Sequence, residues 1–378
     1  MKRQPLATAI ATVLCFCFAP PGRAADGKVK VFILGGQSNM EGYGMLASLD
    51  HLGNHPTGGR LLKMLKAADG SWATRDDVTV WWNKESLKHQ HGPLSTGWGA
   101  LTGKSVGPEL MFGTIVGERY TEHVLLIKVA WGGKSVWCDF RSPSAGKMTW
   151  DEKRILKRDH WLKPGLFYRK MVSEIKGCLS NIKDVVPGYK GQGYEIVGLA
   201  WFQGFNDFGE WHLQLDGKRV GMGVIERYPH NLAAMLRDLR KDLDAPNMPI
   251  VIGELGVGGR EVVERAKNPD AHEAVAMVKF RKAQKAVAGD ASLKNVTFVR
   301  TADFWDSRLQ ELRVAADRYW NVKQKKKIKD TDDNVLPTKA MNDDYWRRGG
   351  HWHCHYNGSA ATYCLVGQAM AEALTRKP

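Results

Sequence analysis

Five short apolar runs, separated by segments with helical periodicity, constrain the fold of this chain more than any other feature of its sequence. Four of the five are almost continuously apolar, which is typical of strands covered on both faces of a sheet. The runs are Val29–Leu34, Val124–Val129, Ile196–Phe202, Pro249–Ile252 and Val296–Arg300. Because strands that alternate with helices form parallel sheets, we predict an α/β fold with helices on both faces of the sheet.

The N-terminal residues 1–24 are predicted to be a secretory signal peptide. Lys2 and Arg3 precede a short apolar run, which Pro20 ends shortly before a pair of small residues suitable for cleavage. The run is too short to cross a membrane, and no later segment of the sequence is apolar for long enough. We therefore expect a single domain over residues 25–378, a secreted or periplasmic location and no membrane span.

The composition adds a charge that favours anionic partners. The chain has 55 lysine and arginine residues against 40 aspartate and glutamate residues, a formal net charge of +15. An acidic or sulfated glycan would suit such a surface, although charge alone names no partner. We expect no nucleic-acid partner.

The cysteines that follow the signal segment show no metal-binding pattern, because no C-x-x-C spacing occurs among them. They are Cys138, Cys178, Cys354 and Cys364. Export would permit a disulfide, so four buried thiols and one bridge stay open as alternatives.

Polar residues and glycines follow the apolar runs, at the strand ends where parallel sheets bind ligands. Ser38 follows two glycines after the first run, a pattern that exposes a hydroxyl and the next N–H groups. A serine becomes nucleophilic when a base takes its proton. The alternatives are a helix N-cap and a phosphate loop. Neither the P-loop pattern nor the dinucleotide-binding pattern is present here, which weakens the phosphate alternative.

Two possible oxyanion donors follow the next two runs. Gly133 offers a backbone N–H after the second run, and Asn206 offers a side-chain amide after the third. Donors of this kind stabilise the negative charge that develops during acyl transfer. Taken singly, the glycine could form an ordinary tight turn and the asparagine an Asx-turn. Their convergence with Ser38 indicates acyl-transfer chemistry.

His355 is the candidate base, in the segment His351-Trp352-His353-Cys354-His355 before the last predicted helix. Three histidines at alternate positions could instead bind a metal ion. No carboxylate-rich cluster lies near the serine in the sequence, and H-E-x-x-H is absent, so we predict neither a metal nor a cofactor.

Four segments together resemble the sialate O-acetylesterase-like (SASA) domain, a family of SGNH hydrolases related to acetyl xylan esterases. They are Gly36-Gln37-Ser38-Asn39-Met40, Val129–Ser135, Trp201–Asp207 and His355–Ala360. The resemblance spans from about Val29 to Leu374. It implies a flavodoxin-like three-layer α/β/α sandwich with a five-stranded parallel sheet, and ester hydrolysis without a cofactor.

The resemblance also implies a role for each matching residue. Ser38 would be the nucleophile and His355 the base. The oxyanion hole would consist of the Ser38 N–H, the Gly133 N–H and the Asn206 amide. The supporting residues would be Gln37, Gln203, Asp207 and Glu254.

One position departs from the family pattern. Relatives carry an aspartate three residues before the histidine, and Trp352 stands there in this chain. A tryptophan cannot accept the hydrogen bond that orients a catalytic imidazole. The alternatives are a backbone carbonyl, a Ser–His dyad, or a carboxylate from elsewhere in the chain. The carboxylate candidates are Asp343, Asp344, Asp303 and Glu254.

We therefore expect an exported serine esterase that removes acetyl or other short acyl groups from carbohydrate. The alternatives are a carbohydrate-binding or cell-surface module with little activity, and a short-chain lipase or thioesterase on the same scaffold. Several tryptophans in predicted loops and inserts could stack on sugar rings, although core positions are at least as common for each. They are Trp72, Trp81, Trp82, Trp98, Trp137 and Trp211.

Overall fold

The computed structural model describes residues 27–84, 89–158, 163–325 and 336–376. The predicted signal peptide at 1–24 lies outside the described residues. Within them, the largest sheet has seven strands. In chain order they are β1 (Val29–Gly36), β2 (Arg75–Trp82), β3 (Gln90–Leu94), β4 (Val124–Ala130), β5 (Tyr194–Phe202), β6 (Ile250–Gly253) and β7 (Val296–Val299).

The strand order in this sheet is β7-β6-β5-β1-β4-β2-β3. All neighbours pair in parallel except β2 and β3, which are antiparallel. The first strand therefore lies between β4 and β5, and the chain builds the sheet outward from it in both directions. Ligands bind at such a switch point, beyond the carboxyl ends of the strands.

The five predicted strands are all present and parallel, but the prediction of a five-stranded sheet is wrong in number. Both additional strands lie between Val29–Leu34 and Val124–Val129, the first two apolar runs of the sequence. The first half of β2 is polar and only its second half is buried, so it shows no apolar run. Gly92 and Pro93 interrupt β3, and proline is tolerated there because β3 is an edge strand.

Eight α-helices of nine or more residues occur in the described part of the chain. They are α1 (Pro108–Arg119), α2 (Trp150–Arg158), α3 (Leu166–Ser180), α4 (Gly221–Asp242), α5 (His272–Ala288), α6 (Ser307–Lys325), α7 (Lys339–Arg348) and α8 (Ala360–Thr375). The 3₁₀-helices and the shorter α-helical turns are Ser38–Glu41, Leu46–Asn54, Gly58–Met64, Pro143–Ala145, Ile182–Val185, Phe205–Phe208, Gly209–His212, Glu261–Arg265, Thr301–Phe304 and His353–Gly358. Two-residue ladders join Gly44–Met45 to Ser105–Val106, and Gln214–Leu215 to Lys218–Arg219.

Helices cover both faces of the sheet. Successive side chains of a strand point to opposite faces, and Trp201 and Phe202 of β5 illustrate this. Phe202 packs over β6 together with Met370 of α8, which in turn packs on α1. Trp201 packs against Phe140, which contacts Phe167 of α3. Helices α3, α4 and α5 then follow one another on that second face.

Burial is almost complete in the central strands. The apolar side chains of β1 and β4 are inaccessible to solvent, and burying one such side chain stabilises the fold by on the order of 1.5–3 kcal/mol. The four cysteines are free thiols; three are buried and Cys354 is half-buried, so the structure favours thiols over a bridge. Among the described residues, no helix combines the length and the apolarity that crossing a membrane requires.

Candidate active site

Ser38 begins a short helical turn, Ser38–Glu41, directly after the central strand β1. The strand end is packed so closely that only glycine fits at position 36. A Cβ on Gly36 would lie 2.2 Å from the carbonyl oxygen of Phe202, and its φ of +154° is one that residues with side chains rarely adopt. The chain therefore turns sharply against the end of β5. Ser38 is 7% exposed at this turn, at the switch point of the sheet.

Gln37 connects the serine turn to Asn206. Its Oε1 accepts hydrogen bonds from the backbone N–H groups of Gly204 (3.1 Å) and Asn206 (3.3 Å). Its Nε2 lies 2.9 Å from Asn206 Oδ1 and 3.5 Å from Ser38 Oγ. Because Gln37 occupies the oxygen of the Asn206 amide, the Nδ2 hydrogens of that amide remain as donors. The structure thus brings Gln37, Ser38 and Asn206 together.

The loop after β4 passes beside Ser38. A Cβ on Gly132 would lie 3.8 Å from Ser38 Cβ, and Gly133 follows with a left-handed φ of +72°. The predicted glycine therefore lies in the loop that borders the serine. Because a glycine has no side chain, the backbone at Gly133 can bring its N–H close to the reacting centre.

Asp207 fastens this loop to the third segment. Its carboxylate accepts hydrogen bonds from the backbone N–H groups of Val136 and Trp137 and from Gln203 Nε2 at 2.6 Å. The same Gln203 amide donates to the carbonyl of Lys134 at 3.1 Å. Complete burial raises the pKa of Asp207 to about 7 in spite of these donors. Gln203 and Asp207 therefore connect the loop that contains Gly133 to the end of β5.

Asn39 joins the serine turn to the histidine segment. Its Nδ2 donates to the carbonyl of Cys354 at 3.1 Å, and its Oδ1 accepts from the hydroxyl of Tyr363 at 2.8 Å. The sequence motif contained Asn39 but gave it no role. Ser38 and His355 make no direct hydrogen bond within the described chain, although the residues next to each are bonded.

The ring of His355 is held on one face and on one edge. Tyr43 stacks on it with 3.9 Å between ring centroids and 9° between planes. Its Nδ1 lies 3.1 Å from Nδ1 of His351. Burial, together with His351 and His353 nearby, lowers the pKa of His355 to about 3, so the imidazole is neutral at neutral pH.

None of the four candidate carboxylates hydrogen-bonds to His355. Glu254 accepts from the backbone N–H of Ala302 at 3.1 Å, and burial raises its pKa. The other three form ion pairs: Asp303 with Arg260 and Arg300, Asp343 with Lys339, and Asp344 with Arg308, Arg347 and Arg348. The group that contacts His355 Nδ1 is His351, which the sequence presented only as part of a metal alternative. Among the described residues, no three histidine, cysteine, aspartate or glutamate side chains form a group suited to a metal ion.

A cavity of about 510 Å³ adjoins the site. Phe205 and His353, which flank the oxyanion and histidine segments, form part of its wall. Trp305 adds a further aromatic side chain, and the charged lining consists of Glu261, Glu273, Glu311 and Arg265.

Two of the six tryptophans lie in a strand, and all six are buried or pack against the core, which is the alternative that the sequence left open. Trp81 and Trp82 lie in β2 and are buried, as is Trp137. The other three, Trp72, Trp98 and Trp211, are partly buried and pack against the core. Trp352 is 62% exposed beside the site, with its ring centroid 5.7 Å from that of His351.

A family described as "Carbohydrate esterase, sialic acid-specific acetylesterase" (SASA) matches residues 28–311 of this chain. The chain belongs to this family. The matched SASA region contains the serine, glycine and asparagine segments and ends before His355. The family supports carbohydrate esterase activity.

One similar sequence and two similar structures accompany the SASA match. The chain is 25% identical over 236 residues to an Arabidopsis thaliana protein named "Probable carbohydrate esterase", covering 61% of this chain and 70% of that protein. The solved structure of an Arabidopsis thaliana protein aligns over 92% of this chain and 98% of its own, with a TM-score of 0.44 and 18% identity. A carbohydrate acetylesterase from Xanthomonas citri aligns over 73% of this chain and 50% of its own, with a TM-score of 0.40 and 15% identity. The family assignment rests on the sequence match.

Proposed function

We propose that this SASA-family protein is an exported serine esterase that removes acetyl or other short acyl groups from carbohydrate. The observation that carries the proposal is the Gln37 side chain. It bonds the backbone and side chain of Asn206 within reach of Ser38, and so leaves an amide donor beside a serine at the end of β1. This arrangement is suited to stabilising a tetrahedral oxyanion.

The reaction would begin with transfer of the Ser38 hydroxyl proton to Nε2 of His355 as Oγ attacks the ester carbonyl. The carbonyl oxygen becomes an oxyanion, which accepts hydrogen bonds from the Asn206 amide and from the Ser38 and Gly133 N–H groups. Collapse of this intermediate breaks the bond to the sugar oxygen, which takes the proton from His355. A water molecule then repeats the cycle on the acyl-serine and releases the acid.

A base must be neutral before it can accept a proton, and His355 meets this condition. An imidazole whose pKa is lowered to about 3 has a free lone pair at any pH near neutrality. Tyr43 restricts the rotation of its ring, so that the ring edge opposite His351 stays in one direction. Asn39 fixes the backbone next to the histidine relative to the serine turn.

The cavity next to the site suggests how a sugar would bind. Phe205 and Trp305 offer aromatic surfaces for a sugar ring, and carboxylates accept hydrogen bonds from sugar hydroxyls. The lining carries three glutamates against one arginine. This local charge is opposite to the net charge of the chain, so we favour a neutral sugar here over the acidic or sulfated glycan that the composition suggested.

Turnover of p-nitrophenyl esters with acyl chains of increasing length tests the proposal. We expect acetate to be preferred, and a fluorophosphonate to label Ser38 in the wild type but not in Ser38→Ala. Hydrolysis of an acetylated neutral sugar in preference to its sulfated analogue would support the cavity assignment. Preference for long acyl chains would indicate a lipase or thioesterase instead. Glycan binding without turnover would indicate a binding module.

A further inference from the structure

We propose that His351 replaces the missing aspartate, by accepting a hydrogen bond from the Nδ1–H of His355. The proposal rests on the proposed function, in which His355 is the base for Ser38. His351 is a positioning residue in this arrangement, because it acts on the reaction only through His355.

The rings of the two histidines approach each other through their Nδ1 atoms. These atoms are 3.1 Å apart, and the ring centroids are 5.0 Å apart with 28° between the ring planes. The contact meets hydrogen-bond geometry, in which one nitrogen donates and the other accepts.

The chemistry decides which nitrogen donates. His355 must keep a lone pair on Nε2 to take the proton of Ser38, so its own proton in the neutral state is on Nδ1. Nδ1 of His351 is then the acceptor, and His351 carries its proton on Nε2. When His355 gains the serine proton it becomes an imidazolium, and it returns that proton from Nε2 to the departing sugar oxygen. The Nδ1 proton stays on His355 throughout, so no further reactant is needed.

The backbone of His351 is fixed where this bond requires it. The N–H groups of Gly350 and His351 both donate to the carbonyl of Asn357 at 2.9 Å. Asn357 and the preceding residue Tyr356 have left-handed φ values of +52° and +50°, which fold the histidine segment back on itself. This turn brings position 351 opposite position 355. Such strained residues concentrate at functional sites.

Among the described residues, neither His351 nor His355 forms an ion pair with a carboxylate. The groups that face the histidine pair are Arg313 from α6, whose guanidinium donates to the carbonyl of His351, Tyr43 from the loop after β1, and His353 and Cys354 from the segment itself. None of them carries a negative charge at neutral pH. The imidazolium that forms on His355 is therefore oriented by a neutral partner and is not neutralised by an anion.

Substitutions that remove, keep or charge the acceptor test this proposal. His351→Leu removes it, and we expect kcat to fall on the order of 10- to 100-fold with little change in KM. His351→Asn keeps a carbonyl oxygen near the position of Nδ1, so it should retain most of the activity. His351→Asp adds the negative charge that relatives have. It should raise the pKa of His355 and move the acidic limb of the pH–rate profile toward neutral pH.

A distant histidine provides the matched control. His123→Leu removes a ring whose Nε2 bonds to Thr79 Oγ1 at 2.9 Å, next to the start of β4, and it should leave kcat and the acidic limb unchanged. A one-dimensional proton NMR spectrum adds a measurement that needs no activity. A downfield signal from the shared N–H should be present in the wild type and absent in His351→Leu.

Two outcomes would overturn different parts of the argument. If His351→Leu keeps the wild-type kcat and His351→Asp leaves the acidic limb in place, while His355→Ala is inactive, His351 is not the acceptor and the proposed function stands. If His355→Ala itself retains turnover, the proposed function fails. Should His351→Leu not fold, the acidic limb of His351→Asp and the wild-type NMR signal decide the question.

Discussion

Two halves of the candidate site are built in different ways. The nucleophile half, consisting of Gln37, Ser38, Asn206 and Asp207, is held by many hydrogen bonds between three strand ends. In the histidine half, consisting of Tyr43, His351 and His355, backbone hydrogen bonds fix the segment, but the His355 side chain itself is held by ring contacts and by one side-chain hydrogen bond. The nucleophile half lies within the region that the family matches, whereas His351 and His355 lie beyond it.

The difference shows which part of the chemistry requires rigid geometry. Oxyanion donors must point to one place in space, and buried hydrogen-bond networks provide that precision. The partner that orients a catalytic imidazole needs only to place a hydrogen-bond acceptor at the right edge of the ring. Several kinds of side chain can do this. The predictions below test this contrast from the largest expected effect to the smallest.

The largest effect should follow loss of the nucleophile. Ser38→Ala removes the attacking oxygen and should lower kcat by on the order of 10⁴-fold or more. Thermal unfolding should hardly change, because Ser38 contributes a small hydroxyl at the edge of the core. Turnover by this variant at the wild-type rate would rule out the covalent mechanism.

Asn206→Ala should have the next largest effect. It removes one side-chain donor to the oxyanion, and such a loss typically lowers kcat by about 100- to 1,000-fold. KM should change much less, because the donor acts mainly in the transition state. A variant altered only in KM would assign Asn206 to substrate binding and weaken the contrast between the halves.

The pH dependence should reveal the buried imidazole. A histidine with the ordinary pKa of 6.5 would be mostly protonated at pH 5 and about 30-fold less active there. Because the pKa of His355 is lowered to about 3, the base stays neutral and kcat/KM should be nearly constant from pH 7 to pH 5. Circular dichroism at each pH separates loss of activity from unfolding. Between pH 6.5 and pH 3, His355 binds a proton in the unfolded state but not in the folded state. The contribution of this residue to the free energy of unfolding therefore falls as the pH falls through that range.

The smallest effects should come from the carboxylates near the site. Asp303→Asn, Asp343→Asn, Asp344→Asn and Glu254→Gln should each change kcat by less than about threefold, since none bonds to His355. A loss of orders of magnitude in any one of them would identify that residue as the orienting acid. The histidine half would then contain the usual carboxylate partner of a catalytic histidine.

The positions of the residues in the nucleophile half could be predicted because their motifs follow strand ends directly. Five strands, the serine turn, the Gly133 loop and Asn206 could all be located by their position after apolar runs. The edge strands β2 and β3 escaped detection because half of one is polar and the other contains Gly92 and Pro93.

The histidine half was harder to predict because its geometry depends on backbone angles that residue types do not reveal. Tyr356 and Asn357 adopt left-handed conformations that place His351 against His355. Asn357 and Gly358 are typical of a turn, but the residue types do not show that this turn places His351 opposite His355. The sequence indicated carboxylates and a backbone carbonyl as possible partners of His355, whereas the group in contact with its Nδ1 is the imidazole of His351, four positions away.

The hydrogen bond between Asn39 and Cys354 also affects the order in which parts of the protein fold. It joins residues 315 positions apart, and contacts between such distant parts of a chain form slowly, because the loop must close before the contact stabilises it. The ribosome delivers the serine turn long before the histidine segment. A partly made chain therefore holds Ser38 without His355. During refolding we expect secondary structure to return first and esterase turnover last. The recovery of turnover would then report the final step of folding.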